Sequence, residues 1–254
     1  MPHPFVEAGA RVEAIAHRGG DLEPAENTLE AFAAAVALGY RHLETDVHAT
    51  ADGVLVAFHD TTLDRVTDRS GPIAALTWDE VRTARVGPDG TGRVPRFDEL
   101  VASFPDVRLT VDLKADGAVA PMLARLGGDD ALLARTCIGS FAQARVHAVR
   151  DALGPRVCTS AGPREVLRLR AASWVGRRRV RVGADCLQVP HRYGALPVVD
   201  APLLAAAEHL GLPVHVWTVN DPATMRTLID RGVGGIVTDA VRELRGVLEE
   251  RGLW

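Results

Sequence analysis

The run HRGGDLEPAENTLEAFAAAVALGYRHLETDVHATADGVLVAFHD, from His17 to Asp60, decides how the chain is read. It opens at the end of an apolar stretch, Ala14-Ile15-Ala16, and passes through Ala25-Glu26-Asn27-Thr28 into an amphipathic segment. There Leu29, Phe32, Ala33 and Val36 fall at the i, i+3, i+4, i+7 spacing of one helix face, so a helix is predicted over Thr28–Leu38. Asn27, with Glu30 three residues later, reads as a capping-box start. His42 to Ala49 reads as a strand, and residues i and i+2 of a strand share a face, so Glu44 and Asp46 project together. The run is thus strand, helix, strand, with two histidines at strand ends, a carboxylate pair, and an arginine beside two glycines.

Working outward, the same alternation continues. Further strands are predicted at Arg108–Lys114, Thr136–Ser140, Val157–Ala161, Cys186–Pro190, Val214–Val219 and Gly235–Thr238, after Glu13–His17 and His42–His48. Helices are predicted near Arg96–Phe104, Ala118–Leu126, Ala142–Leu153, Arg164–Ala172, Ala201–Leu210, Pro222–Arg231 and Val241–Glu250. Eight strands alternating with helices predict an α/β fold of the TIM (β/α)8 barrel type, with an open doubly wound sheet as the lesser alternative. Residues 53–95 interrupt the alternation after the second strand. They read as a small insertion over the barrel mouth within a single domain.

A length of 254 residues suits one such barrel, and 47% hydrophobic residues with 24 glycines suit a large core with many tight turns. The net charge of −4 gives no electrostatic reason to expect nucleic acid as a partner. Cys137, Cys158 and Cys186 stand in separate apolar runs and read as small core residues of a reducing compartment, not as a disulfide framework or zinc knuckle. Met1 to Val12 does not read as a signal peptide, and no stretch reaches the roughly 20 apolar residues of a membrane span. The expectation is a cytoplasmic protein without stable membrane insertion.

Placed on a barrel, the polar residues converge. His17 ends the first strand, Glu44 and Asp46 the second, Asp112 and Lys114 the third, Trp217 the seventh, and Thr238-Asp239 the eighth. In barrels of this type those ends face the active site. Two like charges on one strand repel unless one is protonated or a cation lies between them, and hard oxygen ligands suit Mg²⁺ or Ca²⁺. The competing reading is a solvated strand end whose acids pair with arginines.

His17-Arg18-Gly19, Glu26-Asn27-Thr28, Glu44-x-Asp46, His59-Asp60, Trp217-Thr218-Val219-Asn220 and Gly235-Ile236-Val237-Thr238-Asp239 together resemble the motifs of the glycerophosphodiester phosphodiesterase family, in order and over nearly the whole chain. The resemblance implies hydrolysis of a small-molecule glycerophosphodiester to glycerol 3-phosphate and an alcohol, with a divalent cation (Mg²⁺ or Ca²⁺, Mn²⁺ as a further option) held by Glu44, Asp46 and Asp112. It implies His17 and His59 as the proton-transfer pair. Arg18 and Lys114 are candidates to bind the phosphate, or else internal salt-bridge partners of the same acids; Trp217 is a candidate wall for the alcohol or a core residue. The sequence departs from the family pattern at Asp112, where Glu is usual, at Ala25, where Pro is usual, and at Gly234, where Asp is usual. His191-Arg192-Tyr193-Gly194 falls on the same rim, and Arg177, Arg178, Arg179 and Arg181 form a basic loop, the alternative being a contact with anionic membrane. Two rivals stand beside the phosphodiesterase: a lysophospholipase D, and a barrel that binds phosphorylated ligands without turnover.

Overall fold

The computed structural model describes residues 3–6, 12–21, 25–175 and 180–254. Eight parallel strands occupy the predicted places: β1 (Glu13–His17), β2 (His42–Ala49), β3 (Arg108–Leu113), β4 (Thr136–Gly139), β5 (Cys158–Thr159), β6 (Leu187–Pro190), β7 (Val214–Trp217) and β8 (Gly235–Thr238). The sheet runs in the order β5-β4-β3-β2-β1-β8-β7-β6. Its two ends meet through a parallel bridge between Ser160 and Cys186. Two hydrogen bonds flank that bridge: Ala161 N–H donates to the Cys186 carbonyl and Asp185 N–H to that of Thr159, both at 2.9 Å. The strands therefore form a barrel, and the β5–β6 seam is its thinnest join.

Helices follow each strand: α1 (Leu29–Ala37), α2 (Phe97–Ser103), α3 (Val119–Gly127), α4 (Gln143–Leu153), α5 (Pro163–Trp174), α6 (Ala201–His209), α7 (Pro222–Asp230) and α8 (Val241–Glu249). Strand alternation explains the layers. On β2 and β3 the residues Leu43, Val47, Leu109, Val111 and Leu113 are buried in one apolar cluster with Phe32, Leu100 and Met122 of the helices. The alternate residues of β2, His42, Glu44 and Asp46, are also buried and form a polar inner face. At the floor Phe5 and Val6 close over Cys137, Cys158 and Cys186.

Three local expectations are corrected. The Asn27–Glu30 capping box does not form: Thr28 is the N-cap of α1, its hydroxyl accepting from Ala31 N–H, while Asn27 sits at φ +57° with its side chain turned to β2. The fifth strand is only Cys158–Thr159, because its neighbours are held by the seam, and a short helix, Asp130–Ala134, was not foreseen. The second strand spans His42–Ala49 as read, but Glu44 and Asp46 lie within it and not at its end, because its last residues pair antiparallel with Leu55–Ala57. That hairpin starts the insertion. Val56, Phe58, Leu63, Ile73, Val81, Ala84, Val86 and Val94 give residues 53–95 a small apolar cluster of their own.

Gly234, unexplained by sequence, has a packing reason: a Cβ there would lie 2.9 Å from that of Pro213. Arg177 to Arg179 lie outside the described residues. No helix among the described residues is long and apolar enough to cross a membrane.

Candidate active site

Register brings the acids and the first histidine together. His17 pairs with Glu44 across β1–β2, and Asp46 with Asp112 across β2–β3. Glu44, Asp46 and Asp112 are thus neighbours on one inner face, all at least five-sixths buried at the side chain. The loop after β1 is wound to serve them. Arg18, Gly19 and Gly20 all have positive φ, and Arg18 N–H donates to the Glu44 carbonyl at 3.0 Å. A non-glycine residue at φ +52° is strained, and such strain gathers at functional sites.

Asp46 is the most heavily tied acid. Asn27 Nδ2 donates to its Oδ2 at 3.0 Å, Arg18 Nε lies 3.0 Å from the same oxygen, and Lys114 Nζ lies 2.9 Å from Oδ1. Thr45 donates to Asn27 Oδ1, which fixes the amide. Burial pushes the Asp46 carboxyl up, but Lys114 and Arg18 prevail and hold it below the usual carboxylate range. Lys114 also donates to Asp112 Oδ2 at 2.7 Å. Burial nonetheless raises Asp112, and burial followed by the Asp46 charge pushes Glu44 up to about 8. The ion-pair reading of Arg18 and Lys114 is therefore realised in this structure.

Each predicted histidine has a carboxylate on one nitrogen. His17 Nδ1 is 2.6 Å from Asp239 Oδ1, and its Nε2 is 3.8 Å from Glu44 Oε2. Burial lowers the basicity of His17, yet the Asp239 hydrogen bond and the Glu44 charge outweigh it and raise the ring above its ordinary value. Asn220 donates to Asp239 Oδ2 at 2.8 Å and accepts from Asp239 N–H, so the acid is itself fixed. His59 Nδ1 is 2.5 Å from Asp60 Oδ1, and Arg65 joins Asp60 to Glu26. Glu26 in turn accepts from Arg18. Asp239 is placed at the mouth by the sequence but without a role, and Asn220 lies in a family motif without one. Arg65 is not foreseen at all, since it sits in the turn-rich insertion, where no periodicity marks it.

Trp217 is partly exposed and packs edge to face on Phe141, ring centroids 5.5 Å apart, with Lys114 Nζ 6.0 Å from the Phe141 ring. His191 to Pro197 forms an exposed hairpin after β6, so it shares the rim. A cleft of about 690 Å³ opens between the first loop and the insertion, lined by Glu26, Arg65, Arg85 and Pro88 among others.

The acids fit a hard divalent cation by donor type. Glu44 Oε2 and Asp112 Oδ1 are buried without a hydrogen-bond partner, which is costly for a carboxylate unless a cation or donor arrives. The fit is not closed, since among the described residues the three acids do not bring one oxygen each within 4.8 Å of one another. The Lys114 ammonium stands against both Asp46 and Asp112 and supplies positive charge there.

Comparison with known proteins points to one family by sequence and by fold. Residues 17–243 match the glycerophosphoryl diester phosphodiesterase family. The chain is 37% identical over 258 residues to "Probable glycerophosphodiester phosphodiesterase 2" of Mycobacterium tuberculosis, covering 98% of this chain and 95% of that one. A crystal structure from Silicibacter pomeroyi, of a protein assigned to the same family, superposes with a TM-score of 0.81 at 27% identity, covering 99% of each chain. A phosphodiesterase of Oleispira antarctica, solved with the product sn-glycerol-3-phosphate, shares the fold with a TM-score of 0.74 at 21% identity, covering 94% of this chain and 97% of that one.

Proposed function

The chain belongs to the glycerophosphoryl diester phosphodiesterase family and hydrolyses glycerophosphodiesters to glycerol 3-phosphate and an alcohol; from that premise we propose how its residues divide the work. A diester anion repels nucleophiles and has a poor alkoxide leaving group. Glu44, Asp46 and Asp112 would hold a divalent cation, Mg²⁺ or Ca²⁺ by donor type with Mn²⁺ as the further option. Such an ion, when bound, polarises phosphoryl oxygens and lowers the pKa of a bound hydroxyl. Arg18 and Lys114 exchange part of their pairing with the acids for the substrate phosphate, Arg18 through its planar fork.

His17 and His59 then move the protons. One imidazole accepts the proton of the attacking oxygen, from water or the glycerol 2-hydroxyl, as the new P–O bond forms. The other donates to the alkoxide as the old P–O bond breaks. The observation that carries this assignment is that Asp239 and Asp60 each engage Nδ1, leaving Nε2 of both rings for the substrate. Trp217 and Phe141 form the apolar wall beside the alcohol.

Release of choline from glycerophosphocholine, followed with and without EDTA, tests the metal assignment. Turnover should vanish on chelation and return with Mg²⁺, Mn²⁺ or Ca²⁺; activity indifferent to chelation overturns it. His17→Ala and His59→Ala should each lower kcat by about 10² to 10⁴ with the circular dichroism spectrum unchanged.

A second reading, lysophospholipase D activity, is favoured by one feature: Phe141, Tyr193 and Leu196 are 66%, 79% and 65% exposed on the strand-end side of the barrel. A lyso-phosphatidylcholine turned over faster than glycerophosphocholine would establish it. The three unpaired thiols support a reducing, cytoplasmic setting.

A further inference from the structure

We propose that the barrel floor holds a structural metal site distinct from the mouth, in which Cys137, Cys158 and Cys186, with His215 as fourth ligand, bind one thiophilic cation such as Zn²⁺. The chain has three cysteines, and all three converge here from far apart in sequence. Cys137 pairs in register with Cys158 across β4–β5, and Cys186 enters from the bridge to Ser160 that closes the ring. All three are fully buried, and their sulfurs lie within 4.8 Å of one another. The Cys137 and Cys186 sulfurs are 3.7 Å apart. A tetrahedral site with Zn–S bonds of about 2.3 Å has an edge of about 3.8 Å, so this pair already stands at ligating separation.

Packing alone accounts for less. Thiols do serve as small core residues, and Phe5 and Val6 cover these three. But His215 lies in the same barrel interior with its Nδ1 buried and unpartnered, which core packing leaves unexplained. It sits beside Gln188 in register, two residues past Cys186; its ring nitrogens lie outside the 4.8 Å reach common to the three sulfurs, so the ring closes in on them when the ion binds. Burial keeps the imidazole neutral, which is its ligating form. A disulfide between any two cysteines would leave the third thiol and the histidine nitrogen unused.

The site also has a structural purpose. β5 is two residues long, and it joins β6 through the single Ser160–Cys186 bridge. A cation bound by residues of β4, β5 and the approach to β6 would tie that seam from inside, where hydrogen bonding is thinnest. Because the ligands are thiolates, binding releases protons and adds its free energy to folding.

The test uses the full chain. Protein grown with zinc and dialysed against EDTA, then denatured, should release close to one equivalent of Zn²⁺ per chain, because the thiolate-held ion is sealed in while any carboxylate-held ion at the mouth is stripped. Refolding with Co²⁺ in place of zinc should give the near-ultraviolet sulfur-to-cobalt charge-transfer band and the visible bands of a tetrahedral ion. Neither signal arises from carboxylates, so the result is independent of the mechanism at the mouth. Cys158→Ala should lose the ion. His215→Gln should shift the visible bands; unchanged bands would remove His215 from the ligand set. Unmodified protein that releases no metal, shows no cobalt–sulfur band and exposes three free thiols at once in denaturant overturns the proposal without reliance on any variant.

Discussion

At the scale of single residues, the site is a set of acids that bind through other residues. Asp239 touches no acid of the mouth; it engages His17 Nδ1 and is held by Asn220. Its carboxyl is pushed up by burial but brought below the usual range by the His17 and Asn220 hydrogen bonds, so it is a fixed anion that sets the ring's tautomer and orientation. Asp239→Asn should therefore lower kcat by about 10² while leaving KM within a few fold, because the phosphate contacts proposed for Arg18 and Lys114 do not involve it. A large rise in KM with kcat preserved would mean that Asp239 serves binding instead. The sequence displayed His17, Glu44 and Asp46 within one short run and put Asp239 at the mouth, yet it did not show that Asp239 pairs with His17. The two residues are 222 positions apart, and only closure of β1 against β8, with Ala16 opposite Thr238, makes them neighbours.

At the scale of elements, the loop from β1 to α1 is the part most exposed to small changes. Gly19 has φ +92°, and a Cβ added there would lie 2.6 Å from the Ala31 Cβ and 2.8 Å from its backbone carbon. Neither neighbour is a flexible side chain, so α1 would have to move away from the barrel. Gly19→Ala should cost about 2–4 kcal/mol in urea unfolding, combining left-handed strain with overpacking, and should depress activity because Arg18 precedes it directly. Unchanged stability would show that the loop relaxes freely. The same element shows why local pattern reading stops short. Asn27 and Thr28 are both good caps. The choice between them falls to tertiary partners, since Asn27 is committed to Asp46 and Thr45 and leaves Thr28 to cap. The departure at Gly234 is likewise legible only once Pro213 lies against it.

At the scale of the whole molecule, the eight strands were legible because most are apolar-rich runs between helical periodicities, and β2 alternates apolar with polar residues at the strand period. What the runs do not encode is the polar interior. Near the floor Glu13 pairs with Arg108 and lies 3.4 Å from His42 Nδ1, whose Nε2 meets the Thr110 hydroxyl at 2.9 Å. These groups make the barrel acid-sensitive. Burial pulls the His42 ring down from 6.5 to about 4, so between those values the unfolded chain takes a proton that the folded chain refuses. The His42 contribution is therefore full above pH 6.5 and lost as pH falls toward 4; at about 1.4 kcal/mol per tenfold, the loss is on the order of 3 kcal/mol, while Glu44, raised from 4.5 to about 8, acts in the opposite direction between those values. Burial pushes Glu13 up, but hydrogen bonds with His42 and Arg108 bring it from 4.5 down to about 2, so its contribution is present above pH 4.5 and lost as pH falls through 2. Partial exposure of Glu13 screens that second loss to about 1–2 kcal/mol. Both act in one direction, against a total stability of about 5–15 kcal/mol for a typical domain. Urea midpoints measured from pH 7.5 to 3.5 for the unmodified chain and for His42→Gln, which keeps an amide for Thr110 but cannot titrate in this range, isolate this group from Glu44: relative to the variant, the unmodified chain should lose stability between 6.5 and 4. Midpoints of the two proteins that run parallel over that interval would mean that His42 is already protonated in the fold, paired with Glu13 as an ion pair inside the barrel.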